Sequence, residues 1–182
     1  MADPGATARV DAIVLMGLMG SGKSTVGRIL AARLGWTLDD SDASIEAREG
    51  RTVKELRDEL GVDDMHALEA RHLVEALAAP RPRIVTPAAF CIEVEACRAA
   101  LRGPGVAVAY LRARPETLAA RFFAQPHRPA YGDDPATFLA AQGARRDPLF
   151  SAAATVIVDE DDLTPDAIAD RILEAPGAPA PR

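Results

Sequence analysis

Aromatic residues are scarce in this 182-residue chain, at 4% against a hydrophobic fraction of 48%, so its core has to be built from alanine, leucine and valine. There are only two cysteines, Cys91 and Cys97. They lack metal-ligand spacing and have no histidine cluster beside them, which excludes a disulfide framework and a zinc site and leaves two reduced, packed thiols. No apolar run approaches the roughly 18 residues needed to span a bilayer. The opening MADPGATAR has no signal-peptide core, so a cytoplasmic protein with no membrane partner is expected. Positive charge is also short: 21 Lys and Arg against 27 Asp and Glu give a net charge of -6. That balance argues against general affinity for nucleic acid, and any phosphate site must be local. A chain of this length buries enough surface to fold without staples.

Residues 1–9 and 175–182 are rich in small residues and proline and cannot offset the cost of being ordered, so both read as flexible tails around one domain, 10–174. Between them short β-type runs alternate with amphipathic helical stretches, the pattern of a parallel α/β sheet. Strands are predicted at Asp11–Met16, Trp36–Leu38, Arg83–Thr86, Val106–Leu111 and Thr155–Val158. Helices are predicted after the first glycine loop as far as Gly35, over Ala43–Ala78 with breaks near Gly50 and Gly61, and at Ile92–Leu101 and Pro115–Phe123. A last helix follows Thr164, which can cap it with Pro165 in the first turn. The stretch 43–78 looks inserted between two strands.

Gly17-Leu-Met-Gly20-Ser21-Gly22-Lys23-Ser24 fits G-x-x-x-x-G-K-[ST]. Its glycines let backbone N–H groups turn inward around a phosphate, and the helix starting near Lys23 adds its unpaired N–H groups and positive dipole end. Lys23 is a mobile charge for the β and γ phosphates, and the Ser24 hydroxyl is placed to ligate Mg2+. The bland alternative is a glycine-rich turn. The context, an apolar strand before the motif and an amphipathic helix after it, favours a nucleoside triphosphate, with Gly17, Gly20, Ser21, Gly22, Lys23, Ser24 and Thr25 around ATP.

Asp40 and Asp42 fall at the carboxyl end of the second strand, where open α/β sheets collect ligands. One can serve magnesium while the other takes or orients the proton of an attacking hydroxyl; the alternative is helix capping. The polar, proline-punctuated segment from Ala124 to Pro135 reads as a lid carrying charge from Arg121 and Arg128, or else as a solvated loop.

Taken together, these residues resemble shikimate kinases, small P-loop kinases related in fold to the nucleoside monophosphate kinases, over about Ile13 to Leu173. The resemblance implies a three-layer α/β/α fold with a five-stranded parallel sheet, ATP and Mg2+ as cofactors, and a small hydroxylated acceptor. Asp40-Ser-Asp42 with Ile45-Glu46 is similar to the family's D-[ST]-D-x-x-I-E, which implies Asp40 at magnesium and Asp42 at the acceptor as base. Arg121 falls where the family's lid begins at the nucleotide, Arg128-Pro129 resembles the lid R-P, and Arg146-Asp-Pro148-Leu149-Phe150 resembles the segment whose arginine pairs with the acceptor carboxylate.

Two departures fall on the acceptor side, about 40–78 and just beyond. Met65-His66-Ala-Leu-Glu69 stands where the family carries F-R-x-x-E, so an arginine with a two-pronged grip is replaced by His66, which either meets the acceptor or pairs with Glu69 on the helix surface. Pro87-Ala88-Ala89 stands where the family carries three glycines. The expected reaction is phosphoryl transfer from ATP to shikimate, giving shikimate 3-phosphate. The rivals are a kinase for another polyol or cyclitol acid and a nucleotide-binding module without catalysis. A monomer is expected.

Overall fold

Five consecutive apolar residues form the first strand, β1 (Ala12–Met16), and all five are buried, as a strand covered on both faces must be. Alternation along β1 divides the core. Ala12, Val14 and Met16 face one cluster with Leu73, Leu77, Ile92 and Phe150. Ile13 and Leu15 face another with Val26, Leu30, Leu34, Ile168 and Ile172.

The computed structural model describes residues 9–123 and 134–180. Among these residues the remaining strands are β2 (Thr37–Asp40), β3 (Arg83–Thr86), β4 (Val106–Arg112) and β5 (Val156–Asp159), all parallel, in the order β2-β3-β1-β4-β5. Helices α1 (Lys23–Leu34) and α7 (Pro165–Leu173) supply the second cluster. Helices α3 (Val53–Ala78), α4 (Glu95–Leu101), α5 (Pro115–Phe123) and α6 (Pro135–Ala153) supply the first. The result is the expected three-layer architecture. The chain runs outward from β1 past β3 to β2, then returns and crosses to β4, so the direction of strand order reverses at β1. Ligand crevices form at the carboxyl ends of strands at such a point. Among the described residues no helix is long and apolar enough to cross a membrane.

Several boundaries differ from expectation by a residue or two, and two differ more. The second strand starts at Thr37 rather than Trp36 and runs past Leu38 to Asp40, because Asp39 and Asp40 pair with Val85 and Thr86 of β3. Asp39 tolerates this position because its carboxylate meets His72 Nε2 at 2.9 Å, the Ser44 hydroxyl at 2.8 Å and Arg83 at 3.4 Å. Hydrogen bonding to His72 holds its pKa below the ordinary value in spite of burial. The helix expected over Ile92–Leu101 is a 3-10 turn, Ala89–Glu93, followed by α4, with the β-branched Val94 extended between them.

The expected break at Gly50 separates α2 (Ser41–Glu49) from α3, which opens with a capping box between Thr52 and Glu55. The expected break at Gly61 is a non-helical residue, φ 81° and ψ 175°, inside α3. Ile45, Leu56, Met65 and Leu68, with Val53 against them, form a small core of their own that packs α2 on the folded α3.

Candidate active site

The loop from Gly17 to Gly22 joins β1 to α1. Gly20 has φ 86°, and a side chain there would put its Cβ 2.8 Å from the Leu118 carbonyl oxygen, so α5 packs directly on the back of the loop. A Cβ on Gly17 would lie 2.6 Å from Ser21 Oγ and 2.7 Å from the Leu111 carbonyl oxygen. Gly22 is the N-cap of α1 and no side chain caps the helix, so the first N–H groups, from Lys23 to Thr25, form an anion site. Ser21 Oγ is buried and makes no hydrogen bond. Lys23 Nζ lies along the loop, donating to the carbonyls of Gly17 at 2.9 Å and Leu18 at 3.0 Å. Ser24 is half-buried and Thr25 exposed at the start of the helix. A glycine cradle that admits no side chain, an uncapped helix start and a lysine folded over the loop suit a polyphosphate.

Asp40 is the N-cap of α2 but makes no capping bond. Its Oδ2 instead accepts from Thr86 Oγ1 at 3.0 Å, which ties the carboxyl ends of β2 and β3 together and removes the capping alternative for this residue. Asp42 sits in the first turn of α2. On the far side of the loop, Arg121 Nη1 donates to Glu160 Oε1 at 2.8 Å. Glu160 is 0% exposed, and burial pushes its carboxyl up to about 7 against the opposing pull of Arg121 and Lys23. Arg121 is therefore held beside the phosphate loop. Arg128 and residues 124–133 of the expected lid lie outside the described residues.

The acceptor side is assembled from α2, α3, the 3-10 turn and α6. His66 is not paired with Glu69 on the helix surface. Its ring stacks on Phe90 at 3.6 Å between centroids and 6° between planes. Burial first, then the charges of Arg57 and Arg146, lowers its pKa, so it is neutral at pH 7. Glu69 is 4% exposed, and Arg57 Nη2 lies 3.9 Å from its Oε1. Burial pushes Glu69 up to about 7; Arg57 opposes the rise and Asp42 adds to it. Arg146 is nearly buried, its guanidinium carbon 6.0 Å from the Phe90 ring centroid, and its Nε donates to Glu93. Pro87 is buried after β3, and the Ala88 carbonyl accepts from the Cys91 N–H at 3.1 Å to close the 3-10 turn.

This arrangement puts a phosphate cradle and a cluster of mixed charge at the carboxyl ends of β1, β2 and β3. A family model for shikimate kinase matches residues 19–176. The chain belongs to the shikimate kinase family. It is 39% identical over 166 residues to the shikimate kinase of Thermobifida fusca, spanning 91% of this chain and 95% of that one. It is 40% identical over 152 residues to the shikimate kinase of Symbiobacterium thermophilum, spanning 82% and 86%. Its fold is similar to that of a shikimate kinase from Acinetobacter baumannii in complex with shikimate, with a TM-score of 0.84, 28% identity and coverage of 92% and 93%. Members are kinases that use ATP as phosphate donor.

Within this family setting, several residues at the site carry no sequence signal of their own. Arg57, Phe90, Glu93 and Glu160 belong to no motif. Each is recruited by a bend or a crossover that local patterning does not encode. Glu69 and Thr86 stood next to the altered segments but without a distinct role.

Proposed function

We propose that the protein transfers the γ-phosphoryl group of ATP to a hydroxyl of shikimate, giving shikimate 3-phosphate, with Mg2+ held by Ser24, Asp40 and the phosphates. The reading rests most on one observation: the cradle after β1 and the Thr86-bound Asp40 of β2 lie at the same, carboxyl end of one parallel sheet. The donor set fits magnesium. Among the described residues no group of three His, Cys, Asp or Glu forms a ready cage, and magnesium in kinases keeps its waters and takes only one or two protein oxygens besides the phosphates.

In this reading Lys23 leaves the Gly17 and Leu18 carbonyls for the phosphates, and the uncapped N–H groups of α1 bind the same oxygens. Ser24 and Asp40 would hold magnesium, which would supply charge neutralisation at the phosphates. Asp42 accepts the proton as the acceptor O–H bond breaks; a new bond forms from that oxygen to phosphorus, the bond to the bridging oxygen breaks, and ADP leaves. Arg121 and Arg128 balance charge on the nucleotide side and Arg146 on the acceptor side. Residues 10–174 act as one kinase unit and as a monomer, each chain carrying both halves of its site.

A second acceptor, another polyol or cyclitol acid, is favoured by one feature: Pro87 and its alanines bring bulk and remove an N–H where close approach would otherwise be open. The test is ADP release by purified protein with Mg-ATP and shikimate in a coupled assay, with Lys23→Ala as the control for contaminating kinases. Lysine-dependent turnover is expected. No turnover with ATP binding intact overturns the shikimate assignment, and a panel of hydroxylated acids then separates another acceptor from a module without catalysis.

A further inference from the structure

Strand β2 ends in two adjacent carboxylates, and alternation along the strand sends them to opposite faces of the sheet. Asp40 pairs in register with Thr86, whose Cγ2 would lie 2.8 Å from a Cβ added to Gly27 of α1, so it belongs to the face of the phosphate-loop helix. Asp39 pairs in register with Val85, which faces the core shared with Leu73 and Ala76 of α3. There its carboxylate joins four elements. Oδ1 accepts from the Ser44 hydroxyl of α2 at 2.8 Å and lies 2.9 Å from His72 Nε2 of α3, while Oδ2 lies 3.4 Å from Arg83 Nη1 of β3. Arg83 in turn donates to the carbonyls of Ala76 at 2.7 Å and Pro80 at 3.0 Å, at the end of α3 and just beyond it. His72 and Arg83 are both buried.

A well-packed apolar side chain could fill this position without any of these partners and at no cost in stability. What the carboxylate adds is a fixed geometry. Ser44 closes the first turn of α2, two residues after Asp42, so its bond to Asp39 fixes where that turn stands relative to the end of β2. Thr86 holds Asp40 from the opposite face. We propose that Asp39 is a positioning residue for phosphoryl transfer, which sets from beneath the site where Asp42 stands relative to Asp40 by tying α2 and α3 to the sheet that carries the phosphate loop. Transfer between bound groups is steep in distance, and a misplacement of about 1 Å costs on the order of a hundredfold in rate. Asp39 points toward α3, so its removal takes no contact from either ligand.

This assignment rests on the kinase reading above, and the experiment separates the two. The kcat and the KM values for shikimate and ATP are compared for the wild-type protein, Asp39→Asn, Asp39→Leu and Ser44→Ala, and for the same substitutions in an Asp42→Asn background. Active protein is counted by the stoichiometry of ATP binding, so that unfolded material does not register as a low kcat. Absence of wild-type turnover with shikimate overturns the kinase reading itself, and this assignment with it. With turnover present, Asp39→Asn is expected to lower kcat about tenfold to a hundredfold. Both KM values stay within about threefold of wild type, because ground-state binding is retained. Ser44→Ala acts in the same sense but less, since Asp39 keeps His72 and Arg83. Asp39→Leu, which fills the position with an apolar side chain, shows the same fall and serves if the asparagine variant does not fold. In the Asp42→Asn background the further loss shrinks to about threefold or less, because a base that is absent cannot be misplaced. Unchanged kcat in Asp39→Asn and Asp39→Leu overturns the assignment and leaves the kinase reading standing. A loss that persists undiminished without the Asp42 carboxylate overturns it as well, because Asp39 then acts through some other group.

Discussion

The Thr86 hydroxyl donates to Asp40 Oδ2 at 3.0 Å across the carboxyl ends of two neighbouring parallel strands. The bond turns one carboxylate oxygen toward β3 and fixes the aim of the other. Outer partners of this kind orient metal-binding carboxylates, and their loss typically costs about tenfold to a hundredfold in metal affinity or activity. Thr86→Val keeps the shape and the strand while removing the donor. Its half-saturating magnesium concentration is expected to rise about tenfold in a titration of turnover at saturating ATP. Unchanged magnesium dependence would remove Asp40 from the metal site.

Asp42 occupies the first turn of α2, close enough to Glu69 for its charge to act on that carboxyl. If it takes the acceptor proton, Asp42→Asn retains the volume and loses the base, and kcat should fall by roughly a hundredfold to ten-thousandfold. The KM for ATP should hold, because the phosphate loop lies on another element. A variant retaining near-wild-type kcat would show that positioning alone carries the reaction.

Glu160 gives a pH signature. Its folded pKa, about 7 against an ordinary 4.5, means the neutral form is favoured in the native state. Its contribution is then fully present below pH 4.5 and lost as pH rises through 7, on the order of 2 to 3 kcal/mol. Glu160→Gln should flatten that decline, so that its stability relative to wild type improves by about 2 kcal/mol between pH 5 and pH 8 in urea titrations. Glu69, raised in the same way, keeps part of the slope in both proteins. Asp39, whose pKa is lowered, acts only in the acid range below its ordinary 3.8 and does not confuse the comparison. A difference independent of pH would mean that Arg121 keeps Glu160 ionised throughout.

The sheet and the nucleotide side were legible because their signals are local. The apolar run of β1, the glycines and Lys23 of the loop, and Thr164 as a cap, whose side chain accepts from the Ala167 N–H, each depend on a few adjacent residues. Asp39 and Asp40 were harder, since only pairing with β3 and the partners His72 and Arg83 make acidic residues tolerable in a strand. The acceptor side was least legible. His66 was left between meeting the acceptor and pairing with Glu69, because its stacking partner, Phe90, lies on a different element, and Arg57 carries no sequence signal because the effect of the Gly61 bend on its surroundings is a tertiary one.

That bend yields the last prediction. Gly61 adopts φ 81° and ψ 175°, a region that residues with a side chain essentially do not enter. An added Cβ would meet nothing within 4 Å, so any penalty of Gly61→Ala comes from the backbone and not from a clash. The variant should lose about 1 to 3 kcal/mol in urea denaturation. Alternatively α3 straightens and the strain is relieved, but Arg57 then moves away from Glu69. Both outcomes weaken the acceptor side, through local loosening in one case and displacement in the other, so the KM for shikimate should rise while that for ATP stays near its wild-type value. A variant with unchanged stability and unchanged acceptor KM would show that the juxtaposition of Arg57 and Glu69 does not depend on glycine at this position.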